Sequence, residues 1–164
     1  MILAWDHITT RFVNQIRHDR EAAGRIESIR LLSIHDAVHS VFGSGSGYVF
    51  KQSEPDQSLG AALAATAQAS HDVLSTVFRK PEQLADLKHT LEESLALIPN
   101  TRERDAGVRV GSQSAASYLE TFAPFIAKVA EVVESGRPPL TVSHPFRIPQ
   151  ETEIPRGERW RRSA

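Results

Sequence analysis

His35 and His39 lie four residues apart, and Asp36 directly follows the first of them. Side chains at this spacing share one face of a helix, so both imidazoles could reach one zinc ion, as in the H-E-x-x-H metalloproteases. Asp36 occupies the general-base position of that motif, but its side chain is one methylene shorter than glutamate. The longer metalloprotease motif also needs a glycine where this chain has Phe42. The segment therefore predicts two candidate zinc ligands within an imperfect catalytic motif.

A third ligand could come from His71, which like His35 precedes an aspartate, Asp72. Together with His35 and His39 it defines one hypothesis, a helical metal-binding protein. The interpretation that we favour is that Asp36 and the histidines form hydrogen bonds to buried helix termini or to neighbouring side chains, as buried polar groups usually do. The sequence alone therefore assigns no catalytic, cofactor-binding or metal-ligating residue.

The segments that must position these residues all have helical periodicity. Trp5, Ile8 and Phe12 mark one face of a first helix, which we expect to be capped at or just before Asp6. In the second helix, Leu31 and Leu32 are expected to widen a buried apolar stripe. In the fifth, Gly107, Gly111 and Ala115 recur every four residues and predict a groove where two helix backbones approach closely. The predicted helices after the first span residues 20–42, 57–79, 81–98, 101–121 and 124–134.

No segment alternates with the period of a β-strand, so the fold class predicted is all-α: a bundle of five to six helices over residues 1–135. Residues 136–164 differ, because they hold five prolines and six arginines against three glutamates. This composition cannot bury enough apolar surface to offset the entropy lost on ordering, so we expect an extended or disordered tail. The sequence leaves open whether this tail is native or the product of a shifted reading frame.

Composition limits the classes of function. The 164 residues are 40% hydrophobic and 24% charged, with a net charge of −1 and no cysteine. The absence of cysteine removes disulfides, thiolate metal sites and cysteine nucleophiles, and the near-neutral charge makes nucleic acid an unlikely partner. We find neither a signal peptide nor a run long enough to span a membrane, and therefore expect a cytoplasmic protein.

One ordered set of motifs is more specific than any of these features. It consists of a tryptophan-led first helix, an arginine and a histidine–aspartate segment in the second helix, an alanine-rich third helix with a second histidine–aspartate pair, a helix that closes on Ile-Pro, and a glycine-alanine helix. The residues are Trp5, Arg30, 34–39, 69–74, 98–99 and 106–116. Over about residues 3–120, this order resembles the N-terminal helical half of vanadium-dependent haloperoxidase-like proteins in the type 2 phosphatidic acid phosphatase superfamily.

The resemblance implies an all-α fold and, for a whole protein of the family, either vanadate-assisted oxidation of halide by peroxide or phosphate-ester hydrolysis. In the family, the C-terminal half builds the oxyanion pocket from a lysine before an Arg-Pro pair, a Pro-Ser-Gly-His loop, and an arginine followed by a histidine. Here Arg137-Pro138 has the dipeptide, but no Pro-Ser-Gly-His follows, and the match is lost near Thr121. We therefore expect no haloperoxidase or phosphatase activity, and no vanadate or phosphate bound, for this chain alone.

Three hypotheses about function follow. The first is a haloperoxidase-like helical scaffold without its own oxyanion pocket, acting as an interaction or assembly module. It would form a homo-oligomer or bind a partner chain that covers an exposed helix face. The second is part of a haloperoxidase or acid phosphatase whose catalytic half is supplied by another chain. The third is the metal-binding protein that uses His35, His39 and His71.

Overall fold

The computed structural model describes residues 1–16, 19–43, 47–52 and 58–135. Within these ranges there are six α-helices, a short 3-10 helix and no β-strand, which confirms the predicted all-α bundle. The tail expected over residues 136–164 lies outside the described residues. The helices are α1 (Ile2–Val13), α2 (Arg20–Val41), α3 (Leu59–Val77), α4 (Pro81–Ala96), α5 (Thr101–Thr121) and α6 (Ala123–Ser135), and the 3-10 helix is Asn14–Ile16.

Polar caps fix where several helices begin. The side chain of Asp19 accepts a hydrogen bond from the amide of Ala22 at the start of α2. At the start of α3, the side chain of Ser58 accepts one from the amide of Ala61. Such caps satisfy backbone N–H groups that have no partner within the helix. The first helix differs from our expectation, because α1 starts at Ile2 and Asp6 lies one turn inside it. Asp6 does not cap α1; it pairs instead with Arg30 of α2.

Helix α3 lies at the centre of the bundle, and each of the other five helices packs against it. Its closest neighbour is α5, whose Gly107 and Gly111 face the backbone of α3. A Cβ atom at Gly107 would lie 2.2 Å from the carbonyl oxygen of Ala61, and one at Gly111 would lie 2.6 Å from that of Ala65. Only glycine permits this approach, which confirms the groove expected from the four-residue spacing.

Aromatic side chains fill the larger of two apolar clusters. Trp5, Phe12, Phe78 and Tyr118 are all buried there, and the rings of Phe12 and Phe78 are 5.2 Å apart between centroids. The indole N–H of Trp5 donates to Ser94 of α4 at 3.1 Å, so the one polar atom of that side chain is satisfied. A smaller cluster joins α2, α3 and α5 to the segment 47–52.

Two leucines of α2 lie elsewhere than the sequence suggested. Leu31 and Leu32 do not widen the buried stripe but lie on the opposite side of the helix, where Leu31 is 49% exposed. Burial is confined to the side of α2 that faces α3 and α5, and no described helix covers the other side. With about 100° of rotation per residue, Leu31, Leu32, His35, His39 and Phe42 share this uncovered side. We call these five residues the outer face of α2.

Candidate functional site

Asp36 is the centre of the most extensive polar cluster, although it lies on the buried side of α2 with no exposed surface. Its Oδ1 accepts a hydrogen bond from the amide of Tyr48 at 3.0 Å. Its Oδ2 accepts from the amides of Val49 and Phe50 at 2.9 and 3.0 Å. These three consecutive N–H groups belong to an irregular segment, which has no backbone acceptors of a helix or a sheet for them. The Asp36 carboxylate supplies those acceptors instead.

Two side chains complete the coordination of Asp36. The hydroxyl of Tyr118, from α5, donates to Oδ2 at 2.8 Å. Nδ1 of His35 lies 3.0 Å from Oδ1, and since a carboxylate only accepts, this nitrogen must carry the hydrogen. Asp36 therefore ties α2, α5 and the segment 47–52 together.

These contacts determine the ionisation of the cluster. Burial opposes the charge on Asp36, but the hydrogen bonds from Val49, His35, Tyr48 and Phe50 outweigh it, and the pKa of Asp36 lies below its ordinary value of 3.8. Burial and the neighbouring Asp36 carboxylate raise the pKa of Tyr118 far above its ordinary 10.0. Asp36 is thus a fixed anion whose oxygens face only groups of its own chain, which suits a structural clamp and not a general base.

His35 and His39 lie side by side on the outer face of α2. Their ring centroids are 4.1 Å apart, and the ring of Tyr48 lies 5.2 Å from that of His35. The side chain of His35 is 37% exposed, so the pair is open to solvent. The structure therefore brings together the two histidines of the predicted motif, with Asp36 bonded to the first of them.

The second histidine–aspartate pair forms a separate cluster between α3 and α5. Asp72 accepts hydrogen bonds from Nδ1 of His71, from the amide group of Gln68 and from the hydroxyl of Ser112, all at 2.8 Å. Burial opposes the charge on Asp72, but these three bonds outweigh it and hold its pKa below the ordinary 3.8. His71, like His35, is thus oriented by the aspartate that follows it.

The proposed set of three histidine ligands does not form in the part of the chain that the structure describes. No group of three His, Cys, Asp or Glu side chains there could hold a metal ion. His71 belongs to the cluster with Gln68 and Ser112, whereas His35 and His39 lie on the outer face of α2. The interpretation favoured from the sequence, that the aspartate and histidine side chains serve as hydrogen-bond partners, agrees with the contacts of Asp36, His35 and His71.

Among the residues that the structure describes, Arg30 is the buried cation, with 3% of its side chain exposed. Its guanidinium lies 3.1 Å from the Asp6 carboxylate and 3.2 Å from that of Glu27, and a third contact reaches Ser70 at 3.5 Å. Two carboxylates beside one guanidinium neutralise it and repel an oxyanion. Arg30 therefore links α1, α2 and α3.

Sequence reasoning missed Tyr118, Gln68 and Ser112 as members of these clusters. Tyr118 lies 82 positions from Asp36, and no local spacing connects them. One signal was present: Asp36 falls on the same side of α2 as Ile26, Ile29 and Ala37, and a carboxylate on a buried stripe must find donors. That signal predicts a buried partner without identifying it.

Comparison of the chain with models of known families, with curated proteins and with solved structures finds no match. None of the described helices combines the length and the apolar character needed to cross a membrane.

Proposed function

We propose that residues 1–135 form a haloperoxidase-like helical scaffold that acts as an assembly module and contributes no oxyanion pocket of its own. The observation that carries the proposal is the outer face of α2. There Leu31, Leu32 and Phe42 are exposed on a helix whose other side is fully used in the bundle. An exposed apolar face on an ordered helix is typical of a contact surface.

The outer face is extended by the segment that Asp36 holds in place. Tyr48 is 67% exposed, and its ring lies beside His35. Its backbone amide is bonded to Asp36, so the backbone that carries this aromatic side chain is held in place. Rigid aromatic side chains are common anchors in protein interfaces, because little conformational entropy is lost when they are covered.

The charges inside the bundle support the proposal that these helices contribute no oxyanion pocket. An oxyanion pocket needs several cationic groups that converge on one point. In the described residues the buried cation, Arg30, faces Asp6 and Glu27, and the buried Asp36 is itself an anion. The interior of these helices is therefore arranged for internal pairing and not for holding vanadate or phosphate.

Assembly is tested by light scattering on the purified chain over a range of concentrations. We expect the mass to exceed that of a monomer, and Leu31→Glu to return it to a monomer by placing a charge in the contact. Leu97→Glu is the matched control, because Leu97 is 68% exposed but lies at the end of α4, off the outer face of α2. A mass that stays monomeric, or that falls equally in both variants, would contradict the assembly role.

The absence of an oxyanion pocket is tested on the same sample with vanadate. We expect no bromide oxidation by hydrogen peroxide above that of free vanadate, no hydrolysis of an aryl phosphate, and no broadening of the vanadium NMR signal of vanadate by the protein. Turnover, or vanadate binding that saturates at one ion per chain, would show that these residues build the pocket after all.

A further inference from the structure

Two histidine rings lie side by side on the outer face of α2, and both residues are partly exposed. His35 and His39 are one helical turn apart, with ring centroids separated by 4.1 Å. The last side-chain torsion of histidine is soft, so small rotations can direct one nitrogen of each ring at a common ion. This i, i+4 arrangement on a helix is the one that places two imidazoles on a metal.

Asp36 prepares His35 for this role. Because Nδ1 of His35 donates to Oδ1 of Asp36, the lone pair of the neutral ring is on Nε2. A carboxylate behind a ligating imidazole fixes its orientation and raises its basicity as a ligand. Asp36 is itself held by the amides of residues 48–50 and by the hydroxyl of Tyr118, so four hydrogen bonds besides that of His35 fix its position.

We propose that His35 and His39 form an open two-histidine binding site for a borderline divalent transition-metal ion, with Asp36 as the positioning residue of His35. Imidazole nitrogen suits copper, nickel and zinc, and affinity for such a site is greatest for Cu²⁺. With two protein ligands the ion keeps coordination positions for water or for a donor from outside. The site is therefore labile, unlike the closed sets of four ligands that hold structural zinc.

The proposal goes beyond the assembly role and does not require it. The hypothesis drawn from the sequence needed His71 as a third ligand, whereas this site uses only the pair that the structure brings together. The apolar residues Leu31 and Phe42 lie on the same face, and both are exposed. The negative charge of the buried Asp36 carboxylate, which is bonded to His35, would also attract the ion.

The site is tested by titrating Cu²⁺ alone into the full chain, prepared without a histidine tag, and following the binding by calorimetry and by electron paramagnetic resonance. We expect one tight ion per chain with two nitrogen ligands, and weaker binding of Zn²⁺. His35→Gln and His39→Gln should each weaken Cu²⁺ binding by about tenfold or more. His39→Gln is the sharper variant, because it leaves every hydrogen bond to Asp36 described above in place.

His89→Gln is the matched control. His89 is exposed on α4 and lies 3.2 Å from Glu93, so it belongs to another pair of potential ligands four residues apart. We expect this variant to bind Cu²⁺ as the unaltered chain does. Unchanged affinity in His35→Gln and His39→Gln would overturn the proposal, as would an equal loss in His89→Gln. Circular dichroism of each variant shows whether the helices remain intact.

Discussion

At the scale of single residues, Asp36 explains how an irregular segment is held against a helical bundle. The amides of residues 48–50 point at one carboxylate, which is excluded from water. Backbone N–H groups cannot accept hydrogen bonds, so nothing but an acceptor can face them. The cost of burying the charge is offset by five donors, which also include Tyr118 and His35.

Replacing Asp36 by asparagine should therefore destabilise the fold strongly, although the two side chains have nearly the same shape. An amide group has one acceptor oxygen, and its NH2 group would face donors, such as the amide of Tyr48, that cannot reverse. We expect Asp36→Asn to lower the free energy of unfolding by about 2–4 kcal/mol, the cost of leaving one or two buried donors without partners. Urea denaturation followed by circular dichroism at neutral pH measures it.

Asp72→Asn is the control for this substitution. Asp72 is partly exposed, and its partner Ser112 has a hydroxyl that can turn from donating to accepting. We expect Asp72→Asn to lower the free energy of unfolding by about 1 kcal/mol. An equal fall in the free energy of unfolding in the two variants would contradict this account. It would mean that a backbone donor left unpaired at Asp36 costs no more than a hydroxyl that can turn.

The residues of this cluster show what the sequence could and could not predict. The histidine–aspartate spacing located Asp36 and His35, and the general tendency of buried polar groups to be paired gave them the right role. The partners were out of reach, since segment 47–52 has no periodicity and Tyr118 is distant in the chain. A spacing reports neighbours on one helix, whereas this cluster depends on how three parts of the chain meet.

At the scale of helices, periodicity and caps predicted the elements closely. The predicted second helix, residues 20–42, differs from α2 by one residue, and the predicted fifth helix has the bounds of α5. The side on which each apolar residue lies was less predictable, as Leu31 and Leu32 show. Their burial depends on whether another helix covers them, and the sequence of one helix does not contain that information.

Two glycines give predictions of opposite sign, one at the contact between α3 and α5 and the other on α2. A Cβ at Gly107 would lie 2.2 Å from the Ala61 carbonyl oxygen and 2.6 Å from the Cβ of Ala64, so Gly107→Ala must push the helices apart. We expect it to destabilise the fold by about 1–3 kcal/mol. Gly24 of α2 has no atom within 4 Å of its Cβ position. Gly24→Ala should therefore stabilise the fold by about 0.5–1 kcal/mol, because alanine favours a helix more than glycine does.

Thermal denaturation of the two glycine variants beside the unaltered chain measures both effects. An unchanged or raised melting temperature in Gly107→Ala would mean that α3 and α5 do not approach as closely as their backbones indicate. A lowered one in Gly24→Ala would mean that this position of α2 is not the open helical site described here.

At the scale of the whole molecule, the bond between Tyr118 and Asp36 couples one ionisation to the stability of the entire bundle. Tyr118 belongs to the main apolar cluster, and its hydroxyl reaches the carboxylate that holds α2 and the segment 47–52. The phenol cannot ionise in the folded chain without placing a second negative charge 2.8 Å from Asp36. Deprotonation of Tyr118 therefore favours the unfolded chain.

This coupling predicts how stability depends on alkaline pH. Burial and the charge of Asp36 raise the pKa of Tyr118 above its ordinary 10.0, so above about pH 10 the unfolded chain loses a proton that the folded chain retains. The contribution of Tyr118 is thus fully present below the unfolded pKa and is lost as pH rises toward the folded one. The difference in unfolding free energy between the unaltered chain and Tyr118→Phe should stay constant near neutral pH and shrink above about pH 10. A difference that does not change with pH would show that the Tyr118 hydroxyl is not bonded to a buried anion.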